Sequence, residues 1–142
     1  MTRIIVEVET HAQPALRQTG ATAMASDLLR AGPAKTEDAI AAAAVAQLAE
    51  IVLQSTSEVR KAVGELRNMK NMRVITDSLV KINSLENEAD DIFDMSIERL
   101  FATEPDAKEV IKKREIYQVM ETATDKCEDA ANVIESIIVK YA

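Results

Sequence analysis

Two acidic windows hold the side chains that could do chemistry in this 142-residue sequence. Residues 86–99 and 121–135 together contain 11 of the 24 acidic residues but only 2 of the 17 basic ones. Carboxylates crowded together without bases repel one another, and a hard cation such as Mg²⁺, Ca²⁺, Mn²⁺ or iron removes that repulsion. The composition of the windows therefore makes an oxygen-rich metal site one candidate chemistry.

Each window contains a Glu-x-x-x-Asp pair, a spacing that places two carboxylates on one face of a helix. The pairs are Glu86 with Asp90 and Glu121 with Asp125. Glu86 lies 18 residues before Glu104, and Glu121 lies 17 residues after it. If the chain turns near Glu104, antiparallel helices that rise about 1.5 Å per residue bring both pairs to nearly the same height. Up to four carboxylates could then converge.

The rotation of the two helices distinguishes a metal site from two ordinary solvated acidic faces. At about 100° per residue, Glu86 falls within an apolar stripe with Ile82 and Ala89, where a carboxylate is costly unless it is paired or neutralised. On the next helix, a polar stripe lies roughly opposite the main apolar face and comprises Glu121, Asp125, Glu128, Asn132 and Glu135. Both interpretations remain open at this point.

Three long helical segments must position these acids, at residues 36–69, 74–101 and 105–141. Apolar residues recur in each segment at spacings of three and four, as in amphipathic helices. The chain is 47% hydrophobic and has only three Gly, three Pro and no Trp, which is too few turn residues and aromatics for a β-sandwich. The sequence predicts an all-α protein, an up-down-up antiparallel bundle of three long helices.

Local patterns predict how the segments begin and which sides they bury. Thr36 is expected to cap the first segment. Either Thr103 or Asp106 is expected to cap the third segment, and Pro105 is expected in its first turn. Cys127 is expected to be a small buried core residue. The apolar side of the third segment is predicted to carry Ile116, Val119, Met120, Ala123, Cys127, Ala130, Ala131, Ile134, Ile137 and Ile138.

The first 35 residues differ from the rest in composition. They hold two of the three glycines and two of the three prolines. Residues 3–9 alternate like a short strand, and residues 24–30 could form one short helix. We therefore divide the chain into an N-terminal arm, residues 1–35, and a helical domain, residues 36–142.

Charge, hydropathy and cysteine content exclude several protein classes. The formal net charge of −7 argues against a nucleic-acid partner. The longest uninterrupted apolar run, Ala39–Ala46, is far shorter than the ~20 residues that span a bilayer, so no transmembrane segment is predicted. A single cysteine excludes an intrachain disulfide and fits a reducing compartment such as the cytoplasm.

The chain is predicted not to be an enzyme. Its single histidine, His11, lies outside the periodic segments, which excludes a site with several His ligands or a Ser-His-Asp triad in the helical domain. The Glu-x-x-His motifs of di-iron bundles are also missing. A carboxylate-bridged metalloenzyme is therefore less well supported than a metal-binding regulator or a metal-free helical interaction module.

Basic residues form two clusters of their own. One lies at the last stretch of the first segment, where cations pair favourably with the helix dipole. It comprises Arg60, Lys61, Arg67, Lys70 and Arg73. The other cluster lies at the start of the third segment and comprises Lys108, Lys112, Lys113 and Arg114. It could contact an acidic partner, a phosphate or an anionic membrane surface.

Three stretches resemble a known family. They are Ile82-Asn-Ser-Leu-Glu-Asn-Glu-Ala-Asp-Asp-Ile92, Leu100-Phe101, and residues 115–140, in which Glu121 to Lys140 matches most strongly. Across residues 48–141 the sequence resembles the PhoU-like phosphate transport regulators. It is most similar to the branch of accessory proteins of the Pit-type low-affinity phosphate transporter.

The resemblance implies a PhoU-like helical bundle, a cytoplasmic protein that works at the inner face of the membrane, and a role in phosphate uptake or its control. Its expected partner is a Pit-type membrane phosphate transporter. PhoU relatives carry Glu/Asp-x-x-x-Asp motifs that hold multinuclear iron or zinc clusters. The matching positions here are Glu86, Asp90, Glu121 and Asp125, with Glu128 and Asp129 as further ligands that the second motif implies.

The N-terminal part departs from the family pattern. Family members usually have two more helices, which carry another acidic motif and a Thr-Pro-Phe-Asp-Arg-Glu-Asp type segment, and residues 1–47 contain neither. Apolar surface that those helices would cover is then left open, which predicts a homo-oligomer.

Overall fold

A computed structural model of the chain describes residues 33–67, 69 and 71–141, most of which lie in three long helices. They are α1 (Pro33–Leu66), α2 (Met72–Thr103) and α3 (Ala107–Tyr141). Each helix packs against the other two, and no strand occurs in the described residues. The prediction of an all-α, three-helix antiparallel bundle is confirmed.

Helix ends differ from the predicted ones by a few residues. Helix α1 begins at Pro33 rather than at Thr36, so the predicted cap lies inside the helix. At α3, the backbone N–H of Lys108 donates to Asp106 Oδ1 at 2.9 Å. Asp106 therefore caps this helix, and Pro105 lies before it rather than in its first turn.

The core forms two main clusters along the bundle. One is built from residues such as Leu48, Leu85 and Tyr117 in the half nearer the α2–α3 turn. The other combines the end of α1, the start of α2 and the end of α3, and comprises Val59, Ala62, Ile75, Leu79, Ile82, Cys127, Ala130, Ala131 and Ile134. Cys127 is fully buried, as predicted, and burial raises the pKa of its thiol to about 12.

The buried face of helix α3 is rotated around the helix axis relative to the predicted apolar side. Ile116 and Val119 are about half exposed, whereas Tyr117 and Thr124 are buried. The prediction that Ile116 and Val119 face the core was wrong, because hydropathy alone ranked them above a tyrosine and a threonine. The Thr124 hydroxyl can enter the core because it donates to the backbone carbonyl of Glu121 at 2.7 Å.

Two clusters of ion pairs hold the start of α1 against the α2–α3 turn. Arg99 donates through two nitrogens to the Glu37 carboxylate, at 2.7 and 2.8 Å. Lys113 donates to Asp38 at 2.8 Å and to Glu104 at 2.6 Å. The Arg99 hydrogen bond is the main cause that lowers the pKa of Glu37.

One stretch of α1, Glu37–Leu66, is long and apolar enough to cross a membrane by length and composition alone. The core helix of a soluble protein can pass the same test, so the finding is weak. The prediction of no transmembrane segment stays a prediction. Only 28% of the most apolar window is buried in the bundle, which leaves much of that surface uncovered.

The predicted strand-like and helical pieces of the N-terminal arm, residues 3–9 and 24–30, lie outside the described residues. The division into an arm and a helical domain stays a prediction.

The buried Ser55 hydroxyl gives a test of the core. Its Oγ has no hydrogen-bond partner among the described residues, and an unsatisfied buried polar group costs ~1–3 kcal/mol. Ser55→Ala should therefore raise the free energy of unfolding by ~1 kcal/mol, measured by urea unfolding and circular dichroism.

Ser78→Ala is the matched control, because Ser78 Oγ donates to Glu58 Oε2 at 2.7 Å. This variant should lower the free energy of unfolding by ~1 kcal/mol. Destabilisation in both variants would mean that Ser55 also has a partner.

Candidate metal centre

Three carboxylates from two helices converge near the middle of the α2–α3 interface. One oxygen each from Glu86, Asp90 and Asp125 lies within 4.8 Å of the other two. Glu86 and Asp125 are partly buried, and Asp90 is exposed. The predicted convergence of the two Glu-x-x-x-Asp pairs therefore occurs for three of their four members.

On α2, the position of Glu86 follows from the packing of its neighbours. Leu85 and Ala89 are buried in the core, which fixes the rotation of the helix and holds Glu86 at the edge of the packed face. Asp90 lies one turn further along and faces the solvent side of the same edge. A carboxylate at such an edge keeps part of its hydration.

On α3, the acidic stripe borders the buried face instead of lying opposite to it. The buried face is centred on Tyr117, Thr124 and Ala131 rather than on the predicted line through Ile116 and Val119. This rotation turns Asp125 toward α2. The expectation from helical geometry that the stripe points away from the interface was therefore wrong.

Burial and mutual repulsion raise the pKa of three carboxylates in the site. For Glu86, burial contributes most, followed by the negative charges of Asp90, Glu128, Asp125 and Glu121. Burial is also the largest cause for Glu121 and Asp125, with Asp90 raising the pKa of both. Lys126 offsets part of the effect at Asp125. The site is thus a concentration of negative charge that its own bases do not balance.

The remaining predicted ligands lie around these three carboxylates rather than among them. Glu121 Oε2 accepts a hydrogen bond from Gln118 Nε2 at 2.6 Å. Glu128 is close enough to raise the pKa of Glu86. Asp129 is exposed and forms an ion pair with Lys126 at 2.8 Å, so it lies outside the converging group.

The donor set fits a hard cation. The three carboxylates supply up to six oxygens. The negative charges of Glu121 and Glu128 lie close enough to raise the pKa of Glu86, so these two residues could supply further oxygens. A divalent ion would replace the repulsion between the carboxylates with attraction. The group holds no histidine or cysteine, so its chemistry is oxygen coordination.

An open cleft of about 1180 Å³ lies elsewhere, at the end of the bundle where α1 begins and α2 turns into α3. Apolar residues such as Ile40, Ala44 and Ile92 line it, together with Arg99 and Lys113. Its two cations already bind Glu37, Asp38 and Glu104. None of the three converging carboxylates lines this cleft, so the two are separate features of the bundle.

The chain is similar to the UPF0111 protein YkaA of Bacillus subtilis (strain 168). The two sequences are 36% identical over 78 residues, which are 55% of this chain and 38% of YkaA. UPF0111 is a PhoU-like family. The matched region thus spans well under half of the relative's length. No family model matches the chain, and no solved structure matches it.

Sequence spacing could have indicated one further contact of the site, but not the ion pairs at the start of α1. Gln118 precedes Glu121 by three residues, a spacing that could have suggested its hydrogen bond. The pairing of Arg99 with Glu37 joins residues 62 positions apart, and that of Lys113 with Asp38 joins residues 75 apart. Neither pairing follows from local periodicity.

The raised pKa of Glu86 predicts a pH-dependent instability in chelator-treated protein. Because the folded state holds this proton more tightly than the unfolded chain, the group destabilises the fold above its raised pKa and ceases to do so as the pH falls through the ordinary glutamate range. Glu86→Gln should raise the free energy of unfolding by about 0.5–1 kcal/mol at neutral pH. Urea unfolding at several pH values should show the gain shrinking under acid conditions.

Glu88→Gln serves as the control, since Glu88 is exposed on the same helix and lies outside the converging group. It should change the free energy of unfolding little at any pH. A gain for Glu88→Gln as large as that for Glu86→Gln would contradict local repulsion and indicate only a general effect of net charge.

Proposed function

We propose that this chain is a PhoU-like accessory protein that regulates inorganic phosphate transport and binds metal through its paired Glu-x-x-x-Asp motifs. The observation that carries the proposal is the convergence of Glu86, Asp90 and Asp125 from two helices within 4.8 Å. The 36% identity to the UPF0111 protein YkaA supports the PhoU-like part.

In this proposal, Glu86, Asp90 and Asp125 bind the ion directly. Glu121 and Glu128 complete the coordination or hold bound water, and Gln118 orients Glu121 through the hydrogen bond at 2.6 Å. Asp129 contributes charge rather than a ligand, because it is paired with Lys126. A divalent, iron or zinc centre would supply positive charge that joins α2 to α3.

The role is regulatory rather than enzymatic. The converging group contains carboxylates only, with no histidine or cysteine among its members to act as base or nucleophile. Metal binding would then change the stability of the α2–α3 pair instead of activating a substrate.

We infer a Pit-type phosphate transporter as the membrane partner, with the protein in the cytoplasm at the inner face of the membrane. The resemblance over residues 48–141 supports this partner. Self-association is also part of the proposal, because the apolar first half of α1 is only partly covered by α2 and α3.

Elemental analysis of tag-free protein, purified without chelator, tests the metal site. We expect close to a whole number of iron, zinc, manganese or magnesium ions per chain. Glu86→Gln combined with Asp125→Asn should weaken the affinity for that metal at least ~10-fold, since even the loss of an outer-shell partner costs that much. Helicity, measured by circular dichroism, should remain.

The matched control is Glu88→Gln with Asp91→Asn, which removes the same charges from exposed positions of α2. It should retain the metal. If neither the unmodified protein nor the control binds metal, and the Glu86 and Asp125 substitutions only stabilise the fold, the chain is a helical interaction module with solvated acidic faces.

A further inference from the structure

The end of the bundle at the α1–α2 turn has a different charge from the rest of the molecule. In residues 60–67, 72–81 and 134–141, six bases stand against three acids. The rest of the described residues contain 18 acids and 7 bases. We call this end the basic tip, and its bases are Arg60, Lys61, Arg67, Arg73, Lys81 and Lys140.

The fold brings these three segments together. Residues of all three pack in one core cluster, with Val63, Leu66, Met72 and Ile138 partly buried against it. The Ser78 hydroxyl also joins α2 to Glu58 of α1. The six bases therefore share one end of the molecule, although they are spread over 81 residues of sequence.

Two of the three acids at the basic tip have partners, and the third, Glu135, is exposed. Glu65 accepts a hydrogen bond from Asn71 at 2.9 Å, and Asp77 is 3.9 Å from Arg73. Lys61 pairs with Glu58 at 3.1 Å, and the charge of Lys81 also lowers the pKa of Glu58. Arg60 and Arg67 form no ion pair with any described residue, so their charges are available to a partner.

Apolar and aromatic side chains lie among these charges. Val139 is 75% exposed and Tyr141 is 67% exposed, and both belong to the last turn of α3. Lys140 Nζ lies 5.7 Å from the centre of the Tyr141 ring. Exposed bases next to a tyrosine and an aliphatic side chain are suited to the interface of a bilayer, where the charges meet anionic headgroups and the apolar groups insert between them.

The acidic site does not oppose this contact. Glu86 is 14 residues from the start of α2, which is about 21 Å along the helix axis. Screening at physiological ionic strength reduces interactions beyond about 8 Å. A surface in contact with the helix ends of the basic tip therefore interacts with the bases nearest those ends, Arg67, Arg73 and Lys140, and hardly with the carboxylates in the middle of the bundle.

We propose that the basic tip binds an anionic lipid bilayer, so that the bundle stands with its α1–α2 turn against the membrane surface. A bilayer is favoured over a protein or a nucleic acid because the tip exposes apolar groups, Val139 and Tyr141, beside its charges. The proposal is independent of metal binding at the carboxylate site.

Cosedimentation of the full chain with vesicles tests this proposal. The protein should bind vesicles of phosphatidylcholine mixed with phosphatidylglycerol and not vesicles of phosphatidylcholine alone. Binding should fall steeply at ~1 M salt, where the Debye length is ~3 Å. A chelator in the buffer should not change it, which separates this test from that of the metal site.

A variant at the tip identifies the surface. Arg67→Gln, Arg73→Gln and Lys140→Gln together remove one charge from each helix end. Each charge near an anionic surface contributes about a fivefold factor, so binding should fall on the order of a hundredfold. Val139→Ser with Tyr141→Ser should weaken binding without changing its salt dependence.

The matched control removes three exposed bases from the opposite half of the bundle, through Lys108→Gln, Lys112→Gln and Arg114→Gln. It should bind vesicles as the unmodified chain does. Equal loss in both variants would overturn the proposal, since net charge alone would explain it. Displacement by inorganic phosphate beyond that by chloride of equal ionic strength, or binding to a soluble polyanion without vesicle binding, would also overturn it.

Discussion

Close packing between α2 and α3 is the constraint on which the site depends. Small buried side chains, Ala89 on α2 and Cys127, Ala130 and Ala131 on α3, belong to the core clusters that join these helices. The acidic residues at the edges of both packed faces are then forced into the same space. Their repulsion is thus a consequence of apolar packing, and it raises the pKa of Glu86, Glu121 and Asp125. The bundle tolerates this cost because Asp90 remains in water and Gln118 donates to Glu121.

The two ends of the bundle are stabilised differently. Around the α2–α3 turn, specific ion pairs hold the start of α1, and Lys113 alone binds acids from two elements. At the other end, an apolar cluster joins all three helices, and the ion pairs there lie within one helix, Lys61 with Glu58 and Arg73 with Asp77. Ion pairs between different elements therefore occur beside the cleft, whereas the bases of the basic tip stay at the surface of their own helices.

Much of the fold could be predicted from periodicity, and less of the site. The spacing of apolar residues was sufficient to predict the three helices and to place Glu86 in an otherwise apolar stripe. The approach of Asp125 was not predictable in the same way, because it depends on α3 burying Tyr117 and Thr124 in place of Ile116 and Val119. Which side chains of α3 are buried depends on the side chains of α1 and α2 that pack against them. The ion pairs of Glu37 with Arg99 and of Asp38 with Lys113 join residues far apart in the sequence, so no local pattern predicts them either.

Separation of charge along the axis makes two functions compatible in one small bundle. A cation at the carboxylates would relieve repulsion locally, and screening over about 8 Å would keep that change from reaching the basic tip. An anionic surface at the tip would in turn not compete for the metal. Coupling between the two would therefore have to pass through the helices themselves, by a change in how firmly α3 packs on α2. Ser78 and Glu58, which link α1 to α2 at the basic tip, are placed where such a change in packing would reach the tip.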